Sequence, residues 1–303
     1  MISDSLIDAG EVTIAARDFG GSGGDLLLLH GAGSNLADMT VLARGLRARH
    51  RVVAVDLRGH GRSGDGPWRW DAVLADVSAA VEQLSLTRPA VVGLSLGGMV
   101  AALWGHRHPD GAGVVSLDGN PPPTRPDQLP GLPAGQAAER LAQLHDTFTA
   151  MAAAATEPLT PTQVQEMLDA RRALAQRFGA DERLWVEGFR RGLGQRDGAT
   201  FLRPYPELLG QLRTAMNDVD LMPVYADTQC PTLLVLATRD VPQQEPFADL
   251  YAAYRRGVAQ RVEAIAKTTP WLQFLHLEGA SHAMVAEQPH RLAALIGEFL
   301  TAR

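Results

Sequence analysis

The chain has 303 residues, 46% hydrophobic and 20% charged, enough for one large domain or a core with an insertion and too apolar for a disordered segment. Its 28 Lys+Arg stand against 34 Asp+Glu, a net charge of −6, and no basic run supplies the positive footprint that a nucleic-acid binder needs. A single cysteine, Cys230, excludes an intramolecular disulfide framework and a cysteine-based zinc or iron–sulfur site.

The opening MISDSLIDAG has two aspartates, no Lys or Arg and no apolar core of signal-peptide length. The aliphatic run nearest to it, Leu26–Leu29, is far too short to span a bilayer. The expectation is a soluble cytoplasmic protein without membrane contact. Residues 11–19, EVTIAARDF, partly alternate apolar and polar side chains and read as a half-exposed edge strand. The turn Gly20–Gly24 then leads into DLLLLH (Asp25–His30), a run apolar enough for a strand buried on both faces of a parallel sheet. RVVAVD (Arg51–Asp56), PAVVGL (Pro89–Leu94), GVVSLD (Gly113–Asp118) and PTLLVLA (Pro231–Ala237) repeat that pattern, and WLQFLHLEG (Trp271–Gly279) is a weaker last run. Between them, Leu36–Arg49, Asp71–Leu84, Leu96–His106 and Pro289–Leu300 have helical spacing. In the second of these, Val73, Val77, Ala80, Val81 and Leu84 share a face. Strand and helix in alternation predict an α/β fold, a parallel sheet with helices on both faces.

The alternation breaks between about residue 120 and residue 228. PPPTRPDQLPGLP (Pro121–Pro133) is too proline-rich for regular structure. Helical patterns without strands follow: Ala137, Leu141, Leu144, Phe148 and Met151 recur at spacings of three and four. Thr160-Pro-Thr-Gln163 is a helix start, with Thr at the N-cap, Pro at the first helical position and Gln at the third. The expectation is an all-helical insertion of roughly 100 residues at one end of the sheet. Its aromatic residues Trp185, Phe189, Phe201 and Tyr205 read first as helix core and second as a substrate-facing wall.

The strongest chemical signal is Gly93-Leu-Ser95-Leu-Gly97, placed after a buried strand and before a helix. Only small residues fit so sharp a turn, and the serine hydroxyl projects above the sheet beside the positive end of the helix that follows. A serine needs a base. His282, in Gly279-Ala-Ser-His-Ala just past the last strand, falls on the same rim of the sheet. The base in turn needs an acid. Asp240 ends PTLLVLATRD one strand before His282, and Asp118 ends GVVSLD one strand earlier; the order serine, acid, histidine fits both. A tetrahedral intermediate would need two fixed N–H donors. The backbone of Leu96 is one candidate, and that of Ala32, in His30-Gly31-Ala32-Gly33, is the other.

Other chemistries fade. His106 and His108 lie two apart on a helix, point to different faces and cannot share a metal. H-E-x-x-H and G-x-x-x-x-G-K-[ST] are missing, and Leu36 stands where a dinucleotide G-x-G-x-x-G beginning at Gly31 needs its third glycine. No metal or cofactor is expected.

His30-Gly31, Asp56-Leu-Arg-Gly-His-Gly-Arg-Ser63, Gly93-Leu-Ser-Leu-Gly-Gly98, Leu233–Asp240 and Gly279–His282 together resemble the α/β-hydrolase fold superfamily. The resemblance covers essentially the whole chain except the insertion, which stands where such proteins carry a helical cap. It implies a mostly parallel eight-stranded sheet, a core over residues 1–120 and 229–303, and a cap over 121–228. It also implies a catalytic triad of Ser95, His282 and Asp240 and an oxyanion hole at Ala32 and Leu96. Some members take the acid after the earlier strand, which keeps Asp118 open. Ala237 and Ser281 stand where glycine is common in the family. Ser95 counts against the aspartate-nucleophile members, the epoxide hydrolases and haloalkane dehalogenases. The implied reaction is acyl transfer to water from a small or medium apolar ester, lactone or thioester. Carbon–carbon bond hydrolysis, cyclisation, lyase chemistry and ligand binding without turnover remain as alternatives on the same fold. A small molecule is the expected partner, and oligomeric state is left open.

Overall fold

The computed structural model describes residues 4–154 and 156–302; the ends of the expected core and Ala155 in the expected insertion lie outside the described residues. Ten strands appear among them: β1 (Asp4–Asp8), β2 (Thr13–Gly20), β3 (Gly24–Leu29), β4 (His50–Val55), β5 (Ala90–Leu94), β6 (Gly113–Leu117), β7 (Leu193–Arg196), β8 (Ala199–Leu202), β9 (Thr232–Ala237) and β10 (Leu272–Leu277). Eight form one sheet in the order β1-β2-β4-β3-β5-β6-β9-β10. From β4 to β10 every neighbouring pair is parallel, and β1 and β2 are antiparallel additions at one edge.

Side-chain alternation explains why the central strands are apolar throughout. Leu27, Leu29, Val53, Val55, Val91 and Val114 point into one core. Leu26, Leu28, Val52, Ala54, Val92 and Val115, their sequence neighbours, point into the other. Successive residues of a strand face opposite ways, so a sheet covered on both sides has no polar positions to spare. Helices α1 (Thr40–Leu46), α2 (Trp70–Gln83) and α3 (Leu96–Arg107) follow β3, β4 and β5. Val73, Val77 and Ala80 of α2 pack with α3 on the first face, and Leu42, Ala43 and Leu46 of α1 lie on the second.

The chain from β6 to β9 is mainly helical: α4 (Ala134–Ala154), α5 (Pro161–Arg177), α6 (Glu182–Arg191), α7 (Pro206–Asp218) and α8 (Met222–Ala226). The helix start at Thr160 forms a full capping box: the Gln163 N–H donates to Thr160 Oγ1 and the Thr160 N–H donates to Gln163 Oε1. The segment is not all helical, however. β7 and β8 pair as an antiparallel hairpin across Asp197-Gly198, both with positive φ (53° and 78°). Asp-Gly is the pair that two-residue hairpin turns favour, so the signal was present in LGQRDGATFL.

After β9 come α9 (Ala248–Ala266), α10 (Met284–Glu287) and α11 (Pro289–Thr301). Leu292, Ile296 and Phe299 of α11 pack beside α1. Two expectations need correction. The 11–19 strand is not an edge, because β2 lies between β1 and β4 with Ile14, Ala15 and Ala16 buried. The true edge, β1, buries only Ile7 well and left almost no hydrophobic pattern. The long α9 was not anticipated, because Ala253, Tyr254 and Gly257 dilute the apolar stripe that Leu250, Val258 and Val262 form.

Candidate active site

Ser95 sits between β5 and α3 with φ 53° and ψ −117°, a conformation that side chains other than glycine rarely adopt. Contact with its surroundings enforces that strain. A Cβ on Gly93 would lie 2.0 Å from the Gly97 carbonyl oxygen, and one on Gly97 would lie 2.4 Å from the Leu29 oxygen of β3. One glycine lets the chain fold back on itself; the other lets α3 lie against the sheet. The Ser95 N–H donates to the Leu117 oxygen (2.9 Å), and its carbonyl accepts from Met99 N–H (3.0 Å).

The loop after β3 comes up against the same turn, where a Cβ on Gly31 would lie 3.3 Å from the Cβ of Ser95. His30 pins this loop. Its Nε2 accepts the Leu57 N–H (3.0 Å), which leaves Nδ1 to donate to the Gly31 oxygen (2.7 Å). Burial pushes the His30 pKa down to about 4 and that of neighbouring His60 to about 3, so neither ring is charged near neutrality. Ala32 follows in the loop and faces the cavity. Leu96, fully buried, begins α3, where a helix leaves its first N–H groups without intrahelical acceptors.

His282 hangs from the loop between β10 and α10. Glu287 of α10 organises that loop, accepting from Ser281 N–H (2.9 Å) and from Ser281 Oγ (2.9 Å). Ser281 Oγ in turn accepts the Ala283 N–H (3.1 Å). Ser281 therefore brackets the histidine on both sides.

The acid beside that histidine is Asp118, with His282 Nδ1 2.7 Å from Asp118 Oδ2. The other carboxylate oxygen, Oδ1, accepts the Ala237 N–H (3.1 Å), and the Asp118 N–H donates to the Val235 oxygen (2.8 Å). Asp118 itself has φ 48°. The expectation that Asp240 partners His282 is therefore corrected. After β9 the chain is stitched to the histidine loop through Thr238 N–H and Arg239 N–H, both donated to the Ala280 oxygen. The Asp240 side chain instead forms an ion pair with Arg255 of α9. On His282, burial pulls the pKa down, but the hydrogen bond and charge of Asp118 outweigh it and leave the pKa above the ordinary histidine value.

Ser95, His282, Asp118 and Ala32 line one cavity of about 360 Å³. Met99, Leu144, Phe148, Phe247 and Tyr254 give it apolar walls. Phe148 and Met151 of α4 are 38% and 58% exposed, so this wall reaches solvent. Trp185, Phe189, Phe201 and Tyr205 lie elsewhere; the aromatic wall comes from α4, α9 and the turn before α9. Sequence reading missed Glu287 and the α9 residues because nothing local marks a loop brace or a cavity wall. Among the described residues no group of three or more His, Cys, Asp or Glu is placed to hold a metal ion, and no helix is long and apolar enough to cross a membrane.

Residues 26–295 match the Alpha/beta hydrolase family. A pimeloyl-[acyl-carrier protein] methyl ester esterase of Edwardsiella ictaluri (strain 93-146) is 26% identical over 283 residues, 92% of this chain and 94% of that protein. The esterase of the same name from Chromobacterium violaceum is 40% identical over 129 residues, 42% of this chain and 49% of that protein. Among solved structures, the E-2-(acetamidomethylene)succinate hydrolase superposes with a TM-score of 0.71 over 99% of this chain and 100% of that one, at 22% identity, a likeness of fold. A family match of that extent, over a sheet of that strand order, means that the chain belongs to the alpha/beta hydrolase family.

Proposed function

We propose that the protein hydrolyses carboxylic esters through Ser95, His282 and Asp118, with residues 121–228 acting as a cap over the site. The observation that carries the reading is the 2.7 Å bond between His282 and Asp118 on a cavity that Ser95, on its strained turn, also lines. The esterase relatives support it.

With Nδ1 of His282 committed to Asp118, Nε2 is the nitrogen left to take a proton. It removes the proton of Ser95 as the hydroxyl attacks the ester carbonyl. Negative charge then develops on the carbonyl oxygen, and the N–H groups of Ala32 and Leu96 receive it, each worth about 3–4 kcal/mol of barrier. His282 next gives its proton to the departing alcohol, and an acyl-Ser95 forms. Water enters, His282 activates it, and the acid is released. Asp118 holds the ring orientation throughout and stabilises the imidazolium. The apolar walls suit small or medium acyl and alcohol groups; a lactone or thioester meets the same chemistry.

The test is Ser95→Ala assayed on p-nitrophenyl and methyl esters. Turnover is expected to fall by several orders of magnitude, on the order of 10³-fold or more, with unfolding unchanged. Wild-type rates in that variant would end the reading.

A further inference from the structure

Two arginines, Arg239 and Arg255, are among the residues that line the cavity with Ser95 and His282. Their counter-charges are not. Glu287, 3.3 Å from Arg239, and Asp240, paired with Arg255, are not among the lining residues. Among the described lining residues Asp118 is the one carboxylate, and His282 occupies it. The two arginines are thus lining residues, whereas the carboxylates that pair with them are not.

The two arginines differ. Arg239 is largely exposed and spends Nε on the Gly279 oxygen (2.7 Å). Arg255 is 28% exposed and, among the described residues, makes its side-chain hydrogen bond from Nη1 to one oxygen of Asp240. A guanidinium carries five N–H donors in a planar fork, so most of those of Arg255 have no protein acceptor among the described residues. The Gln243, Gln244 and Tyr251 side chains give this part of the wall a polar character unlike the Met and Phe side chains elsewhere. Half-withdrawn from water, a fork with donors to spare binds a planar anion in two-point fashion more strongly than it binds a neutral acceptor.

We infer that Arg255 is a specificity-determining residue that receives a carboxylate borne by the substrate, away from the ester that Ser95 attacks. The favoured substrates are half-esters of dicarboxylic acids. This inference rests on the ester reading of the Ser95 site. Asp240, the residue expected in the triad, instead competes with substrate for Arg255 and tempers its charge.

The experiment compares methyl half-esters of dicarboxylic acids, succinate through suberate, with amide-tipped counterparts of equal length. The readout is the ratio of kcat/KM for the acid-tipped to the amide-tipped ester, which cancels any loss common to both. Wild-type enzyme is expected to prefer the acid-tipped ester by about tenfold or more at the chain length that spans the two groups. Arg255→Met collapses that ratio towards one, Arg255→Lys keeps part of it, and Asp240→Asn raises it. A ratio near one at every length, a ratio that Arg255→Met leaves unchanged, or a ratio that Asp240→Asn lowers overturns the inference. The serine reading fails separately: amide-tipped ester turnover that survives Ser95→Ala would sink it, whereas Ser95-dependent turnover without preference would sink only the role of Arg255.

Discussion

One imidazole governs the chemistry proposed for this site, and one carboxylate sets its basicity. Burial of His282 alone would make it a poor proton acceptor; Asp118 reverses that balance. Because the base must be neutral to act, and because its pKa is raised, activity should increase with pH with a midpoint above the ordinary histidine value of about 6.5. In Asp118→Asn the raising influences disappear and burial remains, so the midpoint should move down, as imidazole NMR titration would show. Turnover in that variant should fall roughly 10³–10⁴-fold, the scale seen when a triad loses its acid. Asp240→Asn should cost under about tenfold on the amide-tipped esters, within the reach of one lost half-buried ion pair and its neighbours. Equal losses in the two variants would refute the assignment of Asp118. Asp240 could not be separated from Asp118 by chain order, since both come after strands that end on the same rim, Asp118 directly after β6 and Asp240 three residues beyond β9. The direction of a side chain after a turn decides between them, and that depends on what waits on α9.

Helices and strands turn these residues into a site by close approach. α3 lies against β3 because Gly97 has no side chain, and Ser95 takes its direction from that contact. Gly97→Ala places a methyl carbon 2.4 Å from the Leu29 oxygen. Backbone cannot yield as a flexible side chain would, so the variant should lose about 1–3 kcal/mol in denaturant unfolding and more than tenfold in kcat. Unchanged stability would mean that the helix can back away from the sheet at no cost. This elbow was readable in the sequence because its requirement is local: a strand, a sharp turn and a helix within ten residues. The hairpin of β7 and β8 was equally local, and its Asp-Gly turn went unused only because the surrounding segment reads as helix. β1 was not legible, since a strand that buries a single side chain imposes little pattern.

Across the whole molecule, the 121–228 segment is tied to the core by charge buried between them. Arg191, the last residue of α6, donates from Nε to Asp56 Oδ2 (2.8 Å) and from Nη1 to Asp4 Oδ2 (2.5 Å). Asp56 is fully buried and also accepts the N–H groups of Leu36 (2.8 Å) and Arg62 (2.7 Å). Nearby, Arg58 makes a two-point pair with Asp76 (2.6 and 2.8 Å), and Ser63 Oγ donates to the backbone carbonyl of Asp56 (2.6 Å). The Asp56–Ser63 motif thus serves as scaffold, not as chemistry. Arg191→Met removes the partner and leaves the Asp56 charge in the interior, at a cost of about 3–5 kcal/mol. Denaturant unfolding should register that loss, together with faster proteolysis within 121–228; a variant as stable as wild type would show that the backbone N–H groups alone satisfy Asp56.

From the sequence alone came the parallel sheet, the sharp turn at Ser95 and the rim of the sheet that carries His282, because each follows from hydrophobic period or from a turn that small residues permit. Tertiary structure decided the partner of His282, the brace that Glu287 supplies and the presence of Arg239 and Arg255 among the residues of the cavity wall. Each of those depends on residues more than a hundred positions apart or on which way a loop side chain points, and neither leaves a mark in local pattern.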